Sequence, residues 1–414
     1  MAWTDRMTRS EWLVAIGLSG LMIGLVFSPA LLSISLIFTV AVAVLGTPGG
    51  PPTYWRERLP DALSNSLFWG LVGLYLILLL GAPQTTDWGY YLERLRIKLP
   101  LLVLPLAWAA RPFLRRSAGA PDPRASRACL GLVAFVAVVL AGVLINYGLH
   151  FAEFNDLIRR GQALPVPRGN HIRFSLLVAL ASVVGIDGWF RYRSRWLPLL
   201  GTFCLLGLHL LAVRSGLVTA YAGWAVVVGG WALRLGRHRY LWGMLAGLVA
   251  LPLVAYLVVP SFRTKADYMR YELFHRDARQ DTAEYSDQGR LASIRLGLDV
   301  WRDYPVWGVG PGNLEREMRE RYAVAYPGVE AKRPHNQFVT ALAASGVVGF
   351  AVTVASFLLI GFGSGRWRDP RFAAIWVVLT LSCLVENTLE TSVGVSLFTA
   401  FLLAFAYPPK RNPG

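Results

Sequence analysis

Cysteine is nearly absent from this chain, with three in 414 residues. Cys129, Cys204 and Cys383 all fall inside apolar runs, so they read as small core residues and imply no disulfide framework. Charge is sparse, at 16% of residues, and acids are scarcer than bases, 25 against 41. Histidine occurs only six times, and no cluster of His, Cys and acid has zinc-ligand spacing. Asp281, Glu284 and Asp287 stand close together, yet their spacing is not that of a calcium loop. No internal repeat is visible. WGVGPGN at 307–313 follows no predicted strand, which argues against a dinucleotide fingerprint and for a tight reversal between two helices. No metal or cofactor is expected.

What the chain has in abundance is apolar residues, 55% of the total, gathered in long runs. A bilayer-spanning helix needs about 20 of them in succession. The runs predict twelve transmembrane helices, at 12–27, 30–46, 62–81, 99–112, 127–148, 172–190, 197–213, 216–233, 241–259, 337–361, 372–389 and 393–407. A second span follows the first at once, so the first does not read as a cleaved signal peptide. The fold class is an all-α polytopic membrane protein, a single transmembrane domain over 1–414. One large, partly helical loop, 260–336, lies between helices nine and ten.

The net charge of +16 suggests a nucleic-acid partner until its distribution is read. With a cytoplasmic N-terminus, one set of short loops carries Arg56, Arg58, Arg191, Arg193, Arg195, Arg234, Arg237, Arg239, Arg366, Arg368 and Arg371 against few acids. That is the positive-inside pattern of a chain embedded in phospholipid, with both termini cytoplasmic and no nucleic acid implied. Three loops on the other side are long: 82–98, 149–171 and 260–336. In the last, SDQGRLASIRLGLDVWRDYP sets Leu291, Ile294, Leu298 and Trp301 at helical spacing, with Ser286 or Asp287 at the start and Pro305 at the end. A second helix should follow Asn313 as N-cap.

A few polar residues sit where the bilayer makes them costly. His335 and Asn336 stand where the large loop enters the tenth span. They are either the cap of that helix or a general base with its cap. The helix N-terminus, Lys332 and Arg333 all disfavour imidazolium, which leaves a neutral ring able to accept a proton. Arg214 breaks the positive-inside trend in a very short turn. Such a charge either meets a partner or ligand or snorkels to the headgroups. Arg290 and Arg295 open the loop helix, either as solvated charges or as a fork for phosphate oxygens. Mid-span, His209 reads as a hydrogen-bonded core residue. Glu386 and Glu390 suit pairing with arginine better than holding a metal.

The segments AVRSGLVTAYAGW, GRLASIRLGLDVWRDYPVWGVGPGN and PHNQFVTALAASGVVGF occur in this order around one large loop. In this the chain resembles the bacterial O-antigen ligase/polymerase superfamily, and most closely its O-antigen ligases. The resemblance implies a GT-C-like fold in the Gram-negative inner membrane, with a periplasmic active site. It implies transfer of O-antigen from undecaprenyl diphosphate to a sugar hydroxyl of lipid A-core, by a metal-independent inverting displacement. His335 would be the base, with Arg214 and Arg290 on the donor diphosphate. Asn336 and Arg295 would orient groups in the site. Lys98, Arg159 and Arg160, with Arg94 and Arg96, would contact acceptor phosphates. An O-antigen polymerase, a protein-directed O-oligosaccharyltransferase and a transporter remain the competing readings. The short C-terminal tail favours the lipid-directed enzyme over the protein-directed one.

Overall fold

A computed structural model describes residues 9–46, 50–109, 123–159, 162–274, 286–363 and 365–406, and among them there is helix and no strand. α1 (Arg9–Phe27) and α2 (Pro29–Leu45) form a hairpin, followed by the short α3 (Gly50–Thr53) and α4 (Leu59–Leu63). α5 (Ser66–Leu80), α6 (Trp88–Lys98) and α7 (Pro100–Ala109) come next. α8 (Pro123–Leu149), α9 (Phe151–Arg159), α10 (His171–Tyr192), α11 (Trp196–Leu211), α12 (Arg214–Leu235) and α13 (Arg239–Val258) make the middle of the chain. The large loop holds α14 (Pro260–Phe274), α15 (Ser286–Asp303) and α16 (Leu314–Ala325). α17 (Gln337–Phe362), α18 (Pro370–Val385) and α19 (Ser392–Phe405) close the bundle.

Each of the twelve expected spans lies largely on helix among the described residues; 110–112 and 407 fall outside them, and the span expected at 372–389 leaves its helix after Val385. Among the described residues six helices are long and apolar enough to cross a membrane on their own: Ser66–Gln84, Pro123–Leu149, His171–Tyr192, Arg214–Leu235, Arg239–Val258 and Gln337–Phe362. A seventh span arises if Pro29–Leu45 and Gly50–Leu63 count as one segment bent by 88°. Trp12–Phe27, Trp196–Leu211, Pro370–Val385 and Ser392–Phe405 are shorter apolar helices, and α7 has ten residues with Pro105 inside it. The protein is thus a polytopic α-helical membrane protein.

Helix starts follow local chemistry. The side-chain oxygens of Ser28, Asn65, Asp87, Asn170, Asn336, Asp369 and Thr391 accept first-turn N–H groups of α2, α5, α6, α10, α17, α18 and α19. An N-cap of this kind satisfies amides that have no partner within the helix. α10 is buried along most of its length and packs on α8, α11, α12 and α18. α13 buries only Ala255, so its sides are open for lipid.

A charged lock closes one end of the bundle. Asp187 on α10 accepts from Arg191 Nε at 2.8 Å and from Trp231 Nε1 on α12 at 2.9 Å, and Arg371 Nε on α18 lies 3.6 Å away. Asp369 caps α18 and takes Arg191 Nη2 at 2.8 Å. Buried charges are tolerated when paired and hydrogen-bonded in this way. The turns at this end expose Arg193, Arg195, Arg234, Arg237, Arg239 and Arg368.

In the large loop three expectations change. α15 forms as expected, but it buries Ala292, Ser293, Leu296 and Val300, whereas Leu291 is exposed and Ile294, Leu298 and Trp301 are half-buried. The small face docks because Gly297 lets Pro334 come close, where a Cβ would meet Pro334 Cγ at 2.6 Å. Asn313 stands at the N-cap position of α16 but does not cap it. Its Oδ1 accepts from Thr86 N, Thr86 Oγ1 and Asp87 N, and its Nδ2 donates to Gln84 O and Val309 O. It staples the loop to the turn before α6.

WGVGPGN is more than a reversal. α17 breaks at Gly346, at φ 61° and ψ −164°. The 305–310 segment fills the break: Val309 N and Gly310 N donate to Ala343 O and Ala344 O, both at 3.0 Å. In return Val347 N donates to Pro305 O at 2.8 Å and Val348 N to Val306 O at 3.3 Å. Backbone groups freed within a bilayer must find such partners inside the protein.

Candidate functional site

At the end of the bundle opposite the charged lock, α18 stops and the chain turns through Glu386–Thr391 before α19 begins. Four elements converge on this turn. Arg173, on the first turn of α10, donates to Asn387 O at 3.0 Å, Thr388 Oγ1 at 3.2 Å and Thr391 Oγ1 at 3.3 Å. Gln337, the first residue of α17, donates to Glu390 Oε1 at 2.8 Å and accepts from Leu389 N at 3.0 Å. From α6, Lys98 Nζ lies 2.7 Å from Glu390 Oε1, and Arg94 Nη1 donates to Glu390 O at 3.2 Å. Arg333 Nη1 is 3.9 Å from Glu390 Oε2.

Glu386 occupies the centre. It is 1% exposed. Its Oε2 faces His335 Nδ1 at 3.1 Å, and its Oε1 accepts from Arg290 Nη2. The main chain of His335 is held as well: its N–H donates to Ser293 Oγ at 3.1 Å, and that hydroxyl donates to Arg290 O at 2.7 Å. Asn336 caps α17 and donates to Leu384 O at 2.8 Å, which fixes the chain next to the histidine. The His335 and Arg290 side chains keep 22% and 28% of their surface exposed, so both groups are held yet reachable.

Electrostatics define the state of the pair. Burial pushes the Glu386 carboxyl up, but the hydrogen bond from His335 and the charges of Arg290 and Arg173 outweigh it and hold the group below its usual range. Burial likewise raises Glu390, while Lys98, Arg333 and the Gln337 amide bring it below its usual range. Tyr90 beside them is pushed up to about 12, chiefly by burial. An ionised carboxylate only accepts hydrogen bonds. The hydrogen between His335 and Glu386 therefore sits on Nδ1, which leaves Nε2 as the ring nitrogen that can exchange a proton with a substrate.

Several expectations are revised by these contacts. Arg290 and His335 are brought together, through a carboxylate that was expected only to pair with an arginine. Lys332, Arg333 and the helix N-terminus put cations next to His335 in the sequence, yet its Nδ1 lies 3.1 Å from the carboxylate of Glu386. Arg295 does not join Arg290: five residues on, it points roughly 140° away around the helix and is exposed. Lys98 and Arg94 are buried on Glu390 rather than open to an acceptor, and Arg96 is exposed. Arg214, the first residue of α12, is half-buried. It lies at the same end as Arg173, because Gly216 packs against Ser175 on the first turns of α12 and α10. Arg159 closes α9, while Arg160, Asp281 and Glu284 lie outside the described residues. His209 is a core residue as expected, between Leu205 O and the Tyr221 hydroxyl.

Arg173 and Gln337 escaped the sequence reading. Arg173 carried a usable signal, the one that drew attention to Arg214: a cation at the wrong end of a span for the positive-inside trend. Gln337 carried none.

No curated protein matches the chain. A family model described as O-antigen ligase matches residues 199–354, a stretch that runs from α11 into α17 and contains Arg214, Arg290 and His335. Over residues 199–354 this helical membrane protein is thus similar to the O-antigen ligase family.

Proposed function

We propose that the protein is an O-antigen ligase. It transfers O-antigen from undecaprenyl diphosphate to a sugar hydroxyl of lipid A-core, at the periplasmic face of the inner membrane. The observation that carries this reading is the convergence of His335 and Arg290 on Glu386 at one end of the bundle. It sets an imidazole held through Nδ1 beside a guanidinium reachable from outside.

The step follows from those groups. His335 Nε2 takes the proton of the acceptor hydroxyl, whose oxygen attacks the anomeric carbon of the donor sugar. The new C–O bond forms as the bond to the diphosphate oxygen breaks, and the electron pair leaves with the diphosphate. Attack from the face opposite the leaving group inverts the anomeric centre. Arg290, with Arg214 at the same end, takes the growing negative charge. Fixed cations in a partly dehydrated site stabilise such charge strongly. The short turns at the far end support the orientation, since they expose Arg193, Arg195, Arg234, Arg237, Arg239 and Arg368, and the positive-inside rule assigns such turns to the cytoplasm. Phospholipid surrounds both lipid substrates.

The test is complementation of a strain lacking the gene. Wild-type protein should restore polymer on the core, and His335→Ala, expressed to the same level, should lower transfer by about 10²–10⁴. Normal transfer by His335→Ala overturns the assignment. Single repeat units left on the core of the deletion strain would instead identify a polymerase.

A further inference from the structure

Glu386 carries two contacts that a simple supporting residue does not need. One oxygen holds the imidazole and the other holds the guanidinium, and the side chain itself is almost wholly buried. Arg290 thus presents its charge already met by an anion. A diphosphate arriving at Arg290 meets a carboxylate in the place its own oxygens would take. Guanidinium binds carboxylate and phosphate through the same donors, so the two anions compete for one group.

We propose that Glu386 is a positioning residue that stands in for the donor diphosphate, sharing itself between Arg290 and His335 until the donor takes Arg290 over. The inference rests on the proposed transferase reading. With the donor absent, Glu386 neutralises Arg290 and offsets the like charge of the nearby Arg173. When a diphosphate binds Arg290, the Oε1 contact is released and the carboxylate serves His335 alone. It then holds the hydrogen on Nδ1 and stabilises the imidazolium that forms as Nε2 takes the acceptor proton. Donor binding and readiness of the base are coupled through one side chain. The backbone is arranged for this, because Ser293 ties the His335 amide to the Arg290 carbonyl. The two partners keep their spacing while the carboxylate moves between them.

Two readouts move in opposite directions. Glu386→Gln removes the competing charge, so purified protein in nanodiscs should bind undecaprenyl diphosphate several-fold more tightly than wild type. With its carbonyl oxygen accepting from Arg290, its NH2 faces Nδ1 and favours the wrong tautomer, so kcat should fall by roughly 10²–10⁴, as for exchange of the orienting carboxylate in a catalytic triad. A merely structural role would weaken both. Glu386→Asp keeps the charge on a stem one methylene shorter and should restore either the wild-type kcat or the wild-type affinity, but not both. Unchanged or weaker binding of undecaprenyl diphosphate by Glu386→Gln overturns the proposal, as does recovery of both properties in Glu386→Asp. The binding measurement needs no turnover. If His335→Ala proves active, the transferase reading fails, while the competition at Arg290 stands or falls on its own.

Discussion

At the residue scale, the site depends on which side chains share a partner. Arg290 and Arg295 look alike in sequence, five positions apart on one helix. Only Arg290 faces Glu386, and Arg295 faces outward. Arg290→Ala should lower transfer by about 10²–10³, the range seen when one stabiliser of developing charge is removed. Arg295→Ala should stay within a few-fold of wild type in the same assay. Equal losses for the two variants would show that α15 presents a different face to the substrate.

At the element scale, the large loop is not an appendage. α15 begins beside Arg290 and ends at Asp303, and the next residues enter the break in α17. The helix that carries the guanidinium is therefore pinned at its far end within the span whose first turn adjoins the histidine. Gly346 makes this possible. Its φ of 61° and ψ of −164° belong to a region that side-chain-bearing residues scarcely enter, and a Cβ there would meet Val306 O at 2.1 Å. Gly308 faces it with φ 71°, where a Cβ would meet the Ala344 carbonyl carbon at 2.3 Å. Gly346→Ala should destabilise the detergent-solubilised protein by about 3 kcal/mol, from backbone strain alone. It should also lower transfer although it lies far from the chemistry. Thermal unfolding and ligation measured on the same preparation check both, and an unchanged melting temperature would show that the break is not held as described.

At the scale of the whole molecule, the bundle has two ends of different electrostatic character. One is locked by Asp187, Arg191, Asp369 and Arg371 and is rimmed by exposed arginines. The other is organised around two carboxylates, each held below its ordinary value of 4.5. A carboxylate lowered in the folded state adds stability above its unfolded value, and that stability is lost as pH falls through the folded value. The melting temperature should accordingly stay level from neutrality down to about pH 5 and drop below about 4.5. Glu390→Gln should flatten that acid-side drop, because Lys98, Arg94 and Arg333 no longer surround a titrating group. An unchanged slope would place the acid sensitivity elsewhere in the bundle.

The membrane class, the helix positions, the asymmetry of charge and the cap at Asn336 were all legible in the chain itself. Each is set by neighbours within one or two turns or by a sum along a segment. Run length decides whether a helix can span, and the side chain just before a helix decides how its first amides are met. His335, Arg290 and Arg214 were legible as anomalies, because ionisable groups at a bilayer edge need a reason to be there. Their pairing was not. Glu386 lies 51 positions from His335 and 96 from Arg290, and only the docking of α15, α17 and α18 puts one carboxylate between them. The buried face of α15 was hidden for the same reason. Hydrophobic periodicity pointed to Leu291, Ile294, Leu298 and Trp301, but close approach of Gly297 to Pro334 turned the face of Ala292, Ser293, Leu296 and Val300 inward. Patterns along a chain report what each segment prefers, whereas which groups share a proton or a charge depends on distances between segments, and those exist only once the bundle is packed.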